Sequence, residues 1–76
     1  MKHEHIPLEE MLEDLRVTKE ELAQYCAENE VLSKDYQRNR VSIYMNEGRI
    51  GKRRDFIAQL EIIIKETYGE EALNEE

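Results

Sequence analysis

Four polar residues near the middle of the chain have the side-chain types that proteins use to recognise DNA bases, namely Arg38, Asn39, Ser42 and Asn46. Arginine donates two hydrogen bonds to guanine, asparagine pairs with adenine, and serine contacts either base. A spacing of i, i+1, i+4 and i+8 places all four side chains on one face of a helix. This pattern predicts a base-reading surface; the alternative interpretation is an ordinary solvated helix face.

A group of basic residues follows the four candidate base readers along the chain, at Arg49, Lys52, Arg53 and Arg54. Flexible cations of this kind neutralise DNA phosphates and set the register of a protein on the duplex. Residues 34–54 hold seven basic and two acidic residues, whereas residues 1–33 and 55–76 each carry a net charge of −6. The charge pattern therefore predicts a phosphate-binding segment between two acidic flanks.

Other combinations of reactive side chains point away from catalysis. His3 and His5 are two residues apart, but no nearby cysteine completes a tetrahedral metal site. Cys26 lies on an apolar stripe without a histidine close in sequence, which favours a packed thiol over a nucleophile. Glycine-rich phosphate loops and nucleophile elbows are absent from the sequence. We expect no enzyme, no cofactor and no bound metal.

Apolar residues recur with helical spacing in four segments, about 7–16, 19–29, 34–47 and 52–68. Thr18 and Glu21 form a capping box that predicts a new helix start, and Gly48 predicts a helix stop. We therefore expect an all-α fold, a compact bundle of four helices. Its predicted core comprises Leu12, Leu15, Leu22, Tyr25, Val41, Tyr44, Phe56, Leu60, Ile63 and Ile64.

The overall composition fits one small domain spanning residues 1–76, with frayed ends at 1–5 and 70–76. The 76 residues are 39% hydrophobic and 38% charged, and the net charge is −7. No apolar run is long enough for a membrane span, and no export signal is recognisable. A lone cysteine fits a reducing compartment, so the sequence predicts a cytoplasmic protein without membrane contact. Ile62 lies off the apolar stripe of the last helix and predicts a homodimer through residues 52–68.

Two short runs resemble the helix-turn-helix motif of small phage Cro and C1 repressor-like proteins. Residues 17–23, Val-Thr-Lys-Glu-Glu-Leu-Ala, resemble the entry to the first helix of that motif. Residues 40–49, Arg-Val-Ser-Ile-Tyr-Met-Asn-Glu-Gly-Arg, resemble the end of its recognition helix. The resemblance implies that Val41 and Tyr44 face inward and that Ser42 faces outward. It also implies a helix-turn-helix unit within the bundle and double-stranded DNA as the ligand.

Two functions are compatible with these observations. The first is a small DNA-binding transcriptional regulator of the phage or mobile-element type. The second is an acidic helical protein that binds and regulates a basic host protein, such as RNA polymerase or another nucleic-acid enzyme. The two acidic flanks motivate this alternative, because they could steer the chain toward a positively charged surface.

Overall fold

The computed structural model describes residues 7–75, and nearly all of them are helical. Helix α1 runs from Leu8 to Leu32 and helix α2 from Tyr36 to Tyr68. A 3-10 turn, Ser33–Asp35, joins them, and a second 3-10 segment, Glu70–Glu75, follows α2. Helical backbone is therefore continuous over one 61-residue stretch from residue 8 to residue 68.

This long helical stretch doubles back on itself into an antiparallel hairpin. A straight helix of that length would extend about 92 Å at 1.5 Å per residue, whereas the longest dimension of the molecule is 50 Å. Contacts between the helices run in opposite directions along the chain: Lys19 pairs with Glu61, Glu21 with Arg53, and Glu28 with Asn46. The chain thus forms a two-helix hairpin about as long as one of its helices.

The reversal takes place in two steps between residues 33 and 39. Asp35 leaves helical geometry at φ −131° and ψ 71°, and Asn39 does so at φ −108° and ψ 17°. The side-chain amide of Asn39 donates a hydrogen bond to the Leu32 carbonyl oxygen at 3.0 Å. It thereby satisfies one of the carbonyl groups that the end of α1 leaves without a helical partner.

The expected compact four-helix bundle is wrong, although the all-α class is confirmed. Segments 7–16 and 19–29 belong to one helix, because α1 continues through Val17 and Thr18. Thr18 is buried, with 7% of its surface exposed, instead of capping a new helix. A β-branched residue costs less than about 1 kcal/mol inside a helix, and packing between the two helices outweighs that cost.

Segments 34–47 and 52–68 also belong to one helix, because α2 continues through Gly48 and Gly51. The helix-turn-helix unit is wrong for a separate reason, the length and orientation of the two helices that flank the Ser33–Asp35 turn. That motif needs two short helices crossing at about 90–120°, whereas here two long helices pack side by side in antiparallel orientation. A glycine costs a helix about 1 kcal/mol relative to alanine, which is too little to end a helix whose other residues pack well.

Both helices contact each other through positions spaced alternately three and four residues apart, as in a coiled coil. On α1 these buried and half-buried positions are Leu8, Met11, Leu15, Thr18, Leu22, Tyr25, Asn29 and Leu32. On α2 they are Asn39, Ile43, Asn46, Ile50, Arg53, Ile57, Leu60 and Ile64. The interface therefore follows a seven-residue repeat that includes several polar side chains.

The apolar core lies at the end of the hairpin away from the turn. It consists of Met11, Leu15, Leu60, Ile64 and Ala72. Ala72 belongs to the 3-10 segment, which folds back from Gly69 and closes the open end of the hairpin. The sequence predicts fraying at residues 70–76; within Glu70–Glu75, the buried Ala72 and the half-buried Leu73 pack against the helices.

Some residues of the predicted core are buried in this arrangement and others are exposed. Leu15, Leu60 and Ile64 are buried as expected. Four others lie on the surface because the contact repeat runs along a different face of α2, namely Val41, Tyr44, Phe56 and Ile63. Among residues 7–75, no helix is both long and apolar enough to cross a membrane.

Alanine substitutions at the two helical glycines test whether α2 is continuous. A Cβ at Gly48 or Gly51 would meet no atom within 4 Å, and neither glycine has a positive φ. We expect Gly48→Ala and Gly51→Ala each to raise the free energy of unfolding by about 1 kcal/mol, measured by urea denaturation. If Gly48 were a left-handed helix stop, its substitution would lower stability instead.

Gly69 supplies the matched control for these two substitutions. Its φ of +94° and ψ of 159° lie in a region that is open to glycine alone. Gly69→Ala should therefore lower the free energy of unfolding by about 1–3 kcal/mol, opposite in sign to the effect at Gly48 and Gly51.

Candidate interaction surfaces

Two of the four predicted base-reading residues lie in the interface between the helices. Asn46 is 3% exposed and its amide donates to Glu28 Oε1 at 2.9 Å and to Asn29 Oδ1 at 3.0 Å. Its side-chain oxygen accepts a hydrogen bond from Arg49 at 2.8 Å. Asn39 is half-buried and holds the turn through the Leu32 carbonyl. Contact with a base edge would require either asparagine to give up these bonds.

The other two predicted base readers, Arg38 and Ser42, are exposed. Ser42 lies at the rim of a groove of about 230 Å³ between the helices. The groove is lined by Glu28, Leu32, Ser42, Met45, Asn46 and Arg49. The structure thus separates the predicted set into a buried pair and an exposed pair, and base recognition by these residues stays a prediction.

The predicted phosphate-binding residues also fall into two groups, one that contacts α1 and one that faces solvent. Arg53 is half-buried, and its Nε lies 3.0 Å from Glu21 Oε1. The guanidinium groups of Arg49 and Arg53 lie over the Tyr25 ring, 5.6 and 4.8 Å from its centroid. Lys52 and Arg54 are exposed and form no ion pair within residues 7–75. Two of the four cations therefore hold the hairpin together, and two face solvent.

Charge is distributed unevenly along the hairpin. Residues 7–20 and 55–75, here called the acidic half, hold eleven acidic and three basic residues, a net charge of −8. Residues 21–54, the turn half, hold five acidic and seven basic residues, a net charge of +2. Folding places Glu21 of α1 against Arg53 and Glu28 against Asn46, so one cation of the predicted phosphate-binding set is ion-paired within the molecule.

The outer face of α1 carries exposed acids in the acidic half. Arg16 lies between Glu13 and Glu20 and forms ion pairs with both. Its hydrogen bond to Glu13, and secondly its charge, lower the pKa of that carboxyl group. The pair stabilises the helix at pH values above the ordinary pKa of Glu13, and that contribution is lost as the pH falls through the lowered pKa.

The outer face of α2, opposite the hairpin interface, carries exposed apolar residues beside helical glycines. Val41 is 70% exposed, Tyr44 is 76% exposed and Ile62 is 54% exposed. Gly48 and Gly51 lie between them on the same face, because positions 41, 44, 48, 51 and 62 share one side of a helix. Large exposed apolar side chains flanking a stretch of bare backbone are typical of protein-binding surfaces.

The remaining candidate residues add no reactive site within the described residues. Residues 7–75 contain no group of three or more histidine, cysteine or carboxylate side chains placed to hold a metal ion. Cys26 is half-buried and has a free thiol. The predicted pair His3 and His5 lies outside the residues that the structure describes.

Comparisons with known proteins give no relative for this fold and these surfaces: no family model, curated protein or solved structure matches the chain. The resemblance to Cro and C1 repressor-like proteins therefore rests on two short sequence runs alone. The polar interface residues Thr18, Asn29 and Asn46 were missed by sequence reasoning. The seven-residue repeat of contact positions could have identified these three residues, because the repeat continues through them once polar residues are allowed in it.

Proposed function

We propose that this chain is a protein-binding regulator without catalytic activity, and that the outer face of α2 is its binding surface. The observation that carries the proposal is the exposure of Val41 and Tyr44 beside two glycines in a continuous helix. Each glycine costs the helix about 1 kcal/mol relative to alanine. Helix stability therefore does not account for glycine at positions 48 and 51. A partner backbone that approaches the helix closely there does.

A basic protein is the partner that the charge distribution supports. The outer-face residues Val41, Tyr44, Gly48 and Gly51 lie in the turn half, whose net charge is +2, and the acidic half beyond them has the net charge of −8 that attracts such a partner. The acidic half repels DNA and RNA at long range and steers the chain toward positively charged proteins. A basic enzyme that acts on nucleic acids, such as RNA polymerase, has the required charge, and such a partner would place the protein in the cytoplasm.

DNA binding is the second candidate, and one observation favours it. Five exposed cations form neither an ion pair nor a cation–π contact within residues 7–75: Lys34, Arg38, Arg40, Lys52 and Arg54. Such cations can contact phosphates without reading sequence. This candidate requires a duplex to lie beside a protein whose total charge is −7, and of the four predicted base readers it leaves Arg38 and Ser42 exposed.

Site-specific photo-crosslinking in the source cells tests the proposal. A benzophenone side chain at position 41 or 44 should capture one basic protein, identified by mass spectrometry. The same group at position 23, an exposed alanine on the outer face of α1, serves as the matched control and should not capture it. Equal capture from both faces, or capture of nucleic acid alone, would contradict protein binding through α2.

Tyr44→Ala should weaken binding to the captured protein by about thirtyfold, since an aromatic anchor in an interface contributes about 2 kcal/mol. Calorimetry with the purified partner measures this effect. The glycine substitutions add a sharper comparison, because Gly48→Ala and Gly51→Ala should raise stability while weakening binding.

Fluorescence anisotropy of a random duplex at low salt tests the DNA candidate. Tight binding that is lost on substitution of Lys52 and Arg54 would favour it.

A further inference from the structure

A second exposed stripe runs along the side of α2, distinct from its outer face. Its positions alternate three and four residues apart and all are exposed: Ser42, Met45, Arg49, Lys52, Phe56, Gln59, Ile63 and Glu66. Three large apolar side chains lie on it, with Met45 51% exposed, Phe56 45% and Ile63 46%. The repeat is that of a coiled-coil contact, yet within residues 7–75 no third helix covers it.

We propose that two copies of the chain pack side by side and antiparallel through this stripe, forming a symmetric four-helix dimer. Each partner inserts Ile63 into the groove of the other beside Met45. The dimer uses the side of α2 and leaves Val41 and Tyr44 on the outer face free, so it stands independently of the function proposed above.

The groove and the apolar side chain that fills it lie at matching places on the stripe. Met45 and Leu32 are the apolar residues that line the groove of about 230 Å³, beside four polar or charged ones. Ile63 lies 18 residues beyond Met45 along the helix, a distance of about 27 Å. A two-fold axis that crosses α2 near residue 54 exchanges these two positions. The same operation then fills both grooves at once, as a closed symmetric dimer requires.

Charge favours the antiparallel orientation over the parallel one. The same axis lays the acidic half of each chain, with a net charge of −8, along the turn half of its partner, with a net charge of +2. Within the straight part of α2 it places Ser42 near the partner's Glu66. A parallel dimer would instead lay the two acidic halves against each other, and like charges brought together oppose association.

The surface available is large enough for a stable dimer. The broad side of the hairpin measures 50 by 30 Å, which exceeds the area of about 800 Å² per partner in a standard protein interface. The monomer also has a thin core, because seven apolar residues within residues 7–75 are buried. Its radius of gyration of 15.9 Å exceeds the value of about 11 Å expected for a compact domain of this length.

Sedimentation equilibrium of the full chain tests the dimer. The expected mass is about twice the monomer mass of 9.1 kDa. Phe56→Ser and Ile63→Ser should each weaken the dimer at least tenfold while circular dichroism stays helical. Ile62→Ser is the matched control, because Ile62 is as exposed but lies off the stripe, and it should leave the mass unchanged. A monomer at high micromolar concentration, or dissociation by Ile62→Ser alone, would overturn the proposal.

The orientation has its own measurement. In a Cys26→Ala background, a single spin label at position 37, near the turn, should report a distance of about 50 Å between the two copies, the length of the hairpin. Ser42→Glu should weaken the dimer by opposing the partner's Glu66, and adding Glu66→Lys should restore it. A short distance between the labels, or no restoration by the second change, would overturn the antiparallel arrangement.

Discussion

Leu15→Ala and Ile64→Ala are each expected to lower the free energy of unfolding by about 3 kcal/mol. Both side chains have no exposed surface and lie in the cluster that joins α1 to α2. Truncating such a residue removes its buried apolar area and leaves a cavity, at a total cost of about 2–5 kcal/mol. Domains of this size have a total stability of about 5–15 kcal/mol, so either change should shift the urea midpoint strongly.

Ile62→Ala is the control for Ile64→Ala, since the same atoms are removed two residues away at a side chain that is 54% exposed. It should change the free energy of unfolding by less than about 1 kcal/mol, as surface substitutions commonly do. Both variants are measured by urea denaturation followed by circular dichroism. Equal losses at the two positions would mean that α2 presents a different face to α1.

The second large effect is expected at Asn46. Asn46→Ala removes a side chain that is 3% exposed and that bonds Glu28, Asn29 and Arg49. A buried polar group left without its partner costs about 1–3 kcal/mol, and three partners lose a bond here. We expect a loss of about 2 kcal/mol in the free energy of unfolding.

Ser42→Ala is the matched control for Asn46→Ala, because Ser42 lies on the same stretch of α2 and is exposed. Its effect on stability should be below about 0.5 kcal/mol. The comparison also tests whether Asn46 is a solvent-exposed member of the predicted base-reading surface. If Asn46 were a solvated residue available to DNA, its substitution would leave stability unchanged, and urea denaturation would show no difference between the two variants.

The helical class could be predicted from the sequence, but the number of helices could not. Apolar residues at helical spacing indicate helix along most of the chain, but they divide each of the two long helices into two short ones. The signals at Thr18 and Gly48 are local, and each is worth about 1 kcal/mol or less in a helix. Packing along the full length of the hairpin is worth more, so both helices continue through these residues. Local stop signals alone carry no information about that packing.

The candidate site shows a different limit of sequence reasoning. Asn39 and Asn46 were predicted to read bases, and Arg49 and Arg53 to bind phosphates, from their side-chain types and their spacing along a helix. In this hairpin they pair with Leu32, Glu28, Tyr25 and Glu21 across the interface. These partners are 7 to 32 residues away in sequence, so the pairing depends on the chain reversal. The exposure of Val41 and Tyr44 follows from the same reversal, because it fixes which face of α2 meets α1.

The continuity of α2 is the central claim, since it replaces the predicted bundle of four short helices with a hairpin of two long ones. The most direct measurement is the spin-label distance between positions 40 and 58, in a Cys26→Ala background diluted with unlabelled chain. A continuous helix separates these residues by about 27 Å, and that is the expected result. Two short helices folded back at Gly48–Gly51 would bring the same positions within about 10–15 Å, and a distance in that range would contradict the hairpin.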